Sequence, residues 1–349
     1  MDFPEALSCP VPILSHDTVQ LAHGAGGKLS NEMIDKIFLP RFMNSTLEKM
    51  EDQAVLENPG GRIAFSTDTF VVDPIFFPGG DIGDLAINGT VNDIAMSGAT
   101  PKYLSVGFIL EEGLSFETLH RIVLSMEVAA KKAGIQIVTG DTKVVNRGSC
   151  DKLFINTSGF GFVPDNVNIS ASNLKVGDKI IISGTLADHG MAVMTTREGL
   201  SFQSTVASDT AALNHLVADM LGVSHNIHAL RDPTRGGLAT SLNEFASSSK
   251  TGIQLYGDTI PVKENVRGAC EILGIDPLYV ANEGKLVAVV PADIADEMVA
   301  TMRNNPLGKA AVIIGEVTEK HPGIVALQTG LGANRIVDMP VGEQLPRIC

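Results

Sequence analysis

"KYLSVGFIL" (102–110) is followed by "SFETLHRIVLSMEVAAKKAG" (115–134) and then by "IQIVTGD" (135–141). These three stretches decide the fold class. The first is a short apolar run with aromatic and β-branched residues, which predicts a buried strand. The second carries helix punctuation: Ser115 at the N-cap, lysines in the last turn and Gly134 as the stop. The third returns to strand. Strand, helix and strand in succession are the unit from which α/β folds are built.

Working outward, "RIAFSTD" (62–68), "FVVDPIFF" (70–77) and "KLFINTSGFGFV" (152–163) read as strands. Residues 81–98 read as a helix, with Ile82, Leu85, Ala86, Val91 and Ile94 near helical spacing. The polar, turn-rich stretch 163–179 predicts a domain boundary. Beyond it "KIIISG" (179–184) and "GKLVAVV" (284–290) read as strands, and 186–198, 235–248 and 292–305 as helices. "AGIQIVTGD" (133–141) and "TGIQLYGD" (251–258) echo each other, as two ordinary junctions between a helix, a glycine and a strand would. Residues 338–349, with two prolines, a glycine and no apolar period, read as an extended tail tethered at one end.

At 349 residues with 44% hydrophobic content, two compact cores are expected. A net charge of −14, no tryptophan and only 5% aromatics argue against nucleic acid, which needs a basic surface and stacking platforms. No apolar run reaches membrane-spanning length, and the first residues lack the form of a secretory signal. Cys9, Cys150, Cys270 and Cys349 are far apart and form no CxxC pair. Reduced thiols in the cytoplasm are therefore expected rather than a zinc site or a disulfide framework.

Four constellations can carry chemistry. In "LAHGAGGKLS" (21–30), Gly24, Gly26 and Gly27 could wrap backbone N–H groups around an anion ahead of a helix, although the Walker pattern is not met because Leu29 follows Lys28. A flexible turn explains the same glycines. Asp52, Asp68, Asp93, Asp141 and Asp232 sit at element ends. Each alone is an ordinary cap or turn residue. Five together favour a magnesium–nucleotide site, because Mg²⁺ is shared between a few carboxylates and substrate phosphates. Lys143 could hold a phosphate or oxyanion and Glu283 could act as a base, or both are solvated charges. Cys349, the last residue, sits on a proline-containing arm beside Arg347, which favours the thiolate.

Together these pieces resemble the HypE family of hydrogenase maturation factors. The family lies within the ATP-binding superfamily of aminoimidazole ribonucleotide synthetase and selenophosphate synthetase. The resemblance runs from "LAHGAGGKLS" to "LPRIC" and includes "SGTLADHG", "LRDPTRGGL" and "ANEGKL"; "GDTKVV" with a final "PRIC" is its most specific part. It implies an α/β (α+β) two-domain PurM-like fold, whose N-terminal domain forms a dimeric β-barrel with ATP in clefts near the interface. The expected organisation is an extension over 1–20, an ATP-binding and dimerisation domain over 21–168, a second α/β domain over 169–334 and a mobile tail over 335–349. The resemblance also implies a reaction. A carbamoyltransferase, HypF, loads a carbamoyl group onto Cys349, and ATP-dependent dehydration turns it into a thiocyanate. The cyanide then passes to the HypC–HypD complex. The implied roles are Cys349, Lys143 and Glu283 as catalytic residues; Gly24, Gly26, Gly27, Lys28, Asp141 and Thr142 toward ATP; and Asp52, Asp68, Asp93 and Asp232 toward Mg²⁺. Two other readings are a selenophosphate synthetase, disfavoured because the glycine loop has no cysteine, and a nucleotide-binding scaffold that does no chemistry.

Overall fold

The computed structural model describes residues 14–24, 28–49, 60–200, 205–340, 345 and 347–349. A helical run opens with α1 (Lys28–Met33) and closes with α2 (Leu39–Phe42). The first sheet contains β1 (Arg62–Phe70), β4 (Thr100–Glu111), β5 (Gln136–Val145) and β6 (Leu153–Val163); β2 (Phe76–Phe77) and β3 (Gly80–Asp81) form a separate two-stranded ribbon. Its order is β1-β6-β4-β5, with β4 and β5 parallel and the other pairs antiparallel. The parallel pair is the unit read at 102–141, with α4 (Phe116–Ala133) as its crossover; Ser115 caps that helix through Thr118 N–H and Gly134 ends it in the left-handed region.

α3 (Ile82–Ala95) and α4 cover one face of this sheet. Asp81 caps α3 by accepting from Gly83 N and Asp84 N at 2.8 and 3.1 Å. The other face is open. Phe65 is 69% exposed and Ile63 and Ile109 also face out, beside the tilted pair Tyr103–Phe160 at 5.5 Å. Within one chain the sheet does not close into a barrel: β1 and β5 are free edges among the described residues.

The second sheet has the order β13-β12-β9-β11-β7-β10-β8, from β7 (Lys179–Ile182), β8 (Ala229–Arg231), β9 (Gly252–Tyr256), β10 (Val287–Val290), β11 (Val312–Thr318), β12 (Val325–Gln328) and β13 (Asn334–Ile336). Its helices are α5 (Asp188–Arg197), α6 (Asn214–Val223), α7 (Gly237–Ser249), α8 (Glu264–Leu273) and α9 (Ala295–Asn304). The main core crosses between the two halves: Met191 and Val193 of α5 and Val266 and Cys270 of α8 lie in one apolar cluster with α3, α4 and the first sheet.

Two expectations change. The strand read at 70–77 breaks after Phe70, because Pro74 has no N–H to give a ladder. Instead, Val71 N and Asp73 N donate to Cys349 O and Arg347 O at 3.0 and 3.3 Å. The expected mobile tail is accordingly docked at its end. Leu345 and Ile348 are buried in the same apolar cluster, and Cys349 is half-buried against it.

Gly83 sets the approach of α3 to α4, since a Cβ there would lie 2.5 Å from Ile122 O. A glycine-to-alanine change inside a helix usually stabilises by about 1 kcal/mol. Here the sign should invert, with Gly83→Ala destabilising by about 1–3 kcal/mol in chemical denaturation through overpacking against backbone.

Candidate active site

Four predicted acids meet between the two halves of the chain. Asp68 lies near the end of β1 with its side chain on the helix-covered face, and Asp93 lies in the last turn of α3 packed on that strand. Ser66 Oγ, two residues before Asp68 and on the same face, donates to Asp93 Oδ2 at 2.6 Å. Asp232 follows β8, and Glu283 sits in the turn before β10. All four feel one another's charge. Burial, then Asp93, raise Asp68 to about 6; burial, then Asp93, raise Asp232 to about 7. Burial also raises Asp93. Glu283 is pushed well above the usual carboxylate range by burial first, then by Asp232, Asp209, Asp68 and Asp93. Arg231 and Arg235 moderate part of this field. Asp93, Arg231 and Asp232 line a cleft of about 370 Å³.

The Glu283 turn is rigidly built. Asn282 accepts from Ala187 N at 2.8 Å and donates to Pro233 O and Val280 O, each at 3.0 Å, which ties the turn to the Asp232 segment. Asn92 Nδ2 donates to Glu283 O at 3.1 Å. The buried Asp209 accepts from Glu283 N, Gly284 N and Lys285 Nζ at 3.2, 3.1 and 3.0 Å. Glycine is required at 284, where a Cβ would lie 1.7 Å from Asp209 O. In contrast to the backbone around it, Glu283 Oε1 is buried with no hydrogen-bond partner among the described residues. Crowded acids with an orphaned oxygen suit a cation, which would remove the repulsion. Among the described residues, no group of three or more candidate ligands is close enough to enclose a metal ion by itself. Asp52 lies outside the described residues.

Asp141, Thr142 and Lys143 stand elsewhere. They lie on the edge strand β5, which is separated from β1 by β6 and β4, about 14 Å at ordinary strand spacing. Lys143 Nζ pairs with Asp141 at 2.8 Å, both side chains exposed, and this holds the Asp141 carboxyl below its usual range. Asp141, Thr142 and Lys143 border a mainly apolar cavity of about 320 Å³ walled by Phe38, Phe42 and Phe108. A single chain therefore does not bring Lys143 to the acid cluster. Gly24 ends a short 3₁₀ turn (Leu21–Gly24) and Lys28 opens α1; Gly26 and Gly27 lie outside the described residues.

The docked chain end brings in Arg197 and His189, to which the sequence assigned no role, and ties Arg347 to other partners. Arg197 donates to Arg347 O at 2.8 Å and also bonds Asp73 O. Arg347 reaches Val71 O at 3.0 Å and pairs with Asp151. His189 is fully buried, with Nε2 2.8 Å from Ile348 O and Nδ1 2.8 Å from Ser208 Oγ, and burial disfavours its protonation. The only sequence signal for His189 was its place in "SGTLADHG" (183–190). The docking point Val71 is three residues beyond Asp68, about 10 Å along extended chain.

A carboxyl harder to ionise in the fold than in the unfolded chain contributes stability below its unfolded pKa. That contribution is lost as pH rises through the folded value. Glu283 is such a group. Glu283→Gln should therefore gain stability over the parent in urea denaturation without ligand as pH rises from about 4 to about 8, because only the parent must ionise a buried carboxyl. A gain that shrinks with pH would contradict this placement.

Residues 50–163 match the AIR synthase related protein N-terminal domain, and residues 175–328 the AIR synthase related protein C-terminal domain. The carbamoyl dehydratase HypE of Azotobacter vinelandii is 49% identical over 336 residues, 96% of this chain and 98% of that protein. The carbamoyl dehydratase HypE of Escherichia coli K12 is 49% identical over 338 residues, 95% of this chain and 100% of that protein. A solved structure of the hydrogenase maturation protein HypE in complex with ATP, 49% identical, superposes with a TM-score of 0.91 over 95% of this chain and 99% of that one. A HypE–HypF complex, also 49% identical, gives 0.78 over 88% of this chain and 99% of that one. The selenophosphate synthetase reading gives way to these likenesses, and the chain belongs to the carbamoyl dehydratase HypE family of hydrogenase maturation proteins.

Proposed function

We propose that the protein dehydrates an S-carbamoyl group on its own Cys349 to a thiocyanate, with ATP as the co-substrate. The observation that carries this reading is the docked chain end, which holds Cys349 between the two halves of the molecule beside the strand that bears Asp68. In the balanced step, the carbamoyl oxygen takes the γ-phosphoryl group of ATP and its bond to carbon then breaks, releasing phosphate. The nitrogen loses both protons as the C≡N bond forms, so –S–C(=O)–NH₂ and ATP give –S–C≡N, ADP and phosphate. Phosphorylation makes a poor leaving group a good one, and phosphoryl transfer depends mainly on positioning and charge neutralisation.

Asp68, Asp93 and Asp232 would hold Mg²⁺, together with Asp52 as the resemblance implies. The ion would neutralise the phosphates. Glu283, desolvated and held in a stiff turn, has the raised proton affinity that a base for the N–H protons needs. The apolar cavity beside β5 suits a purine ring, with Thr142 and Lys143 at the phosphates and the 24–28 loop over them. Lys143 and Asp68 lie on opposite edge strands of an open sheet whose uncovered face carries Phe65, Ile63 and Ile109. A second copy laid on that face would bury the apolar patch and bring the β5 edge of one chain to the β1 edge of the other. Homodimerisation is thus part of the proposal. The relatives supply its setting: a HypE structure is solved with ATP and another with HypF. HypF would load Cys349 and a HypC–HypD complex would accept the cyanide. A reducing cytoplasm is the expected setting for this chemistry.

Cys349→Ala should bind Mg-ATP as tightly as the parent, by calorimetry, and deliver no cyanide to the acceptor complex. Cyanide transfer by this variant would overturn the proposal.

A further inference from the structure

The docked tail and the Glu283 turn are held by one short segment, Ser208–Asp209. Ile348 O can only accept, so His189 Nε2 must carry the hydrogen of their 2.8 Å contact. In a neutral ring, Nδ1 is then an acceptor and takes the Ser208 hydroxyl hydrogen at 2.8 Å. Ser208 Oγ in turn accepts from Thr210 N at 3.1 Å, and Ser208 N donates to Pro78 O at 2.8 Å. A directed chain of hydrogen bonds thus runs from Thr210 N–H through Ser208 and His189 to the tail carbonyl. Such chains strengthen one another in a dry interior. The next residue, Asp209, grips the Glu283 and Gly284 amides and Lys285. His189 is also locked from the side, with the Phe77 ring edge-on at 5.3 Å.

From this we infer that His189 is a positioning residue that couples docking of the chain end to the geometry of the Glu283 turn through Ser208–Asp209. The latch reads the tail's main chain, at Ile348 O. With Arg197 on Arg347 O and Val71 N on Cys349 O, it sets the register of the tail. Coupling of this kind is reciprocal: whatever releases the tail loosens the turn, and the reverse. The inference goes beyond the proposed reaction, and its test needs no turnover, so the two can fail separately.

Amide hydrogen exchange on the full chain reads both ends. Val71 and Asp73 report docking, because their N–H groups bond the tail carbonyls; Glu283 and Gly284 report the turn, because theirs bond Asp209. In His189→Leu, exchange at Val71 and Asp73 should rise about tenfold, the scale of one buried hydrogen bond. Exchange at Glu283 and Gly284 should rise about fivefold, the scale of a coupling between sites. His189→Gln keeps a donor for Ile348 and an acceptor for Ser208, and should restore both pairs. A chain lacking Arg347–Cys349 leaves His189 in place and should still loosen Glu283 and Gly284. The amides of Ile180–Ile182 in β7 serve as the control for the fold. Unchanged exchange at Val71 and Asp73 in His189→Leu would overturn the latch. Unchanged exchange at Glu283 and Gly284 in the truncated chain would overturn the coupling, even if His189→Leu unfolds.

Discussion

A short piece of backbone that cannot finish its own sheet governs this molecule. After β1 the chain runs through Val71 and Asp73 toward Pro74, which has no hydrogen to donate. Buried main-chain groups must find partners, and here the other end of the chain supplies them: Cys349 O, Arg347 O and the Arg347 side chain all bond to 71–73. Leu345 and Ile348 then drop into the core shared by both halves of the chain. The position of the Cys349 sulfur follows from backbone register, as a side chain's position in a strand follows from its neighbours.

The same region concentrates negative charge. Asp68, Asp93, Asp232 and Glu283 come from both halves of the chain and would separate if the backbone allowed it. It does not, because Asn92 and Asn282 fix the Glu283 turn with neutral hydrogen bonds, and Asp209, itself an anion balanced by Lys285, grips the turn's amides. The repulsion is retained as raised proton affinity rather than relieved by movement. Under the proposed function, such an arrangement would suit a site that receives a cation with triphosphate and accepts protons. Sites of that kind are costly to stability and useful to chemistry.

Much of this was legible in the sequence, for identifiable reasons. The unit at 102–141 was readable because apolar period, Ser115 and Gly134 all pointed the same way. The helices α6 and α8 escaped; a missing side-chain cap does not set them apart, since α5, α7 and α9 lack one too and were read. Residues 71–75 read as strand from their β-branched character, with Pro74 given too little weight. Aspartates at element ends pointed to the acid cluster, although Asp141 stands apart from it, and Glu283 was named separately, as a possible base beside Lys143. His189 and Lys285 sat within quoted motifs but, like Ser208 and Asp209, received no role, because their roles exist only through contacts between distant segments; His189 and Ile348 stand 159 positions apart. Lys143 was placed with the acids from its motif, and only the strand order shows that one chain keeps them apart.

The central claim is that the Cys349 sulfur is itself the atom on which the reaction occurs. The mass of the C-terminal peptide tests it most directly. After HypF has carbamoylated the protein, addition of Mg-ATP should shift that peptide down by the mass of one water within a single turnover, with ADP and phosphate formed in equal amount. A carbamoylated peptide whose mass stays constant while ATP is consumed would contradict the account.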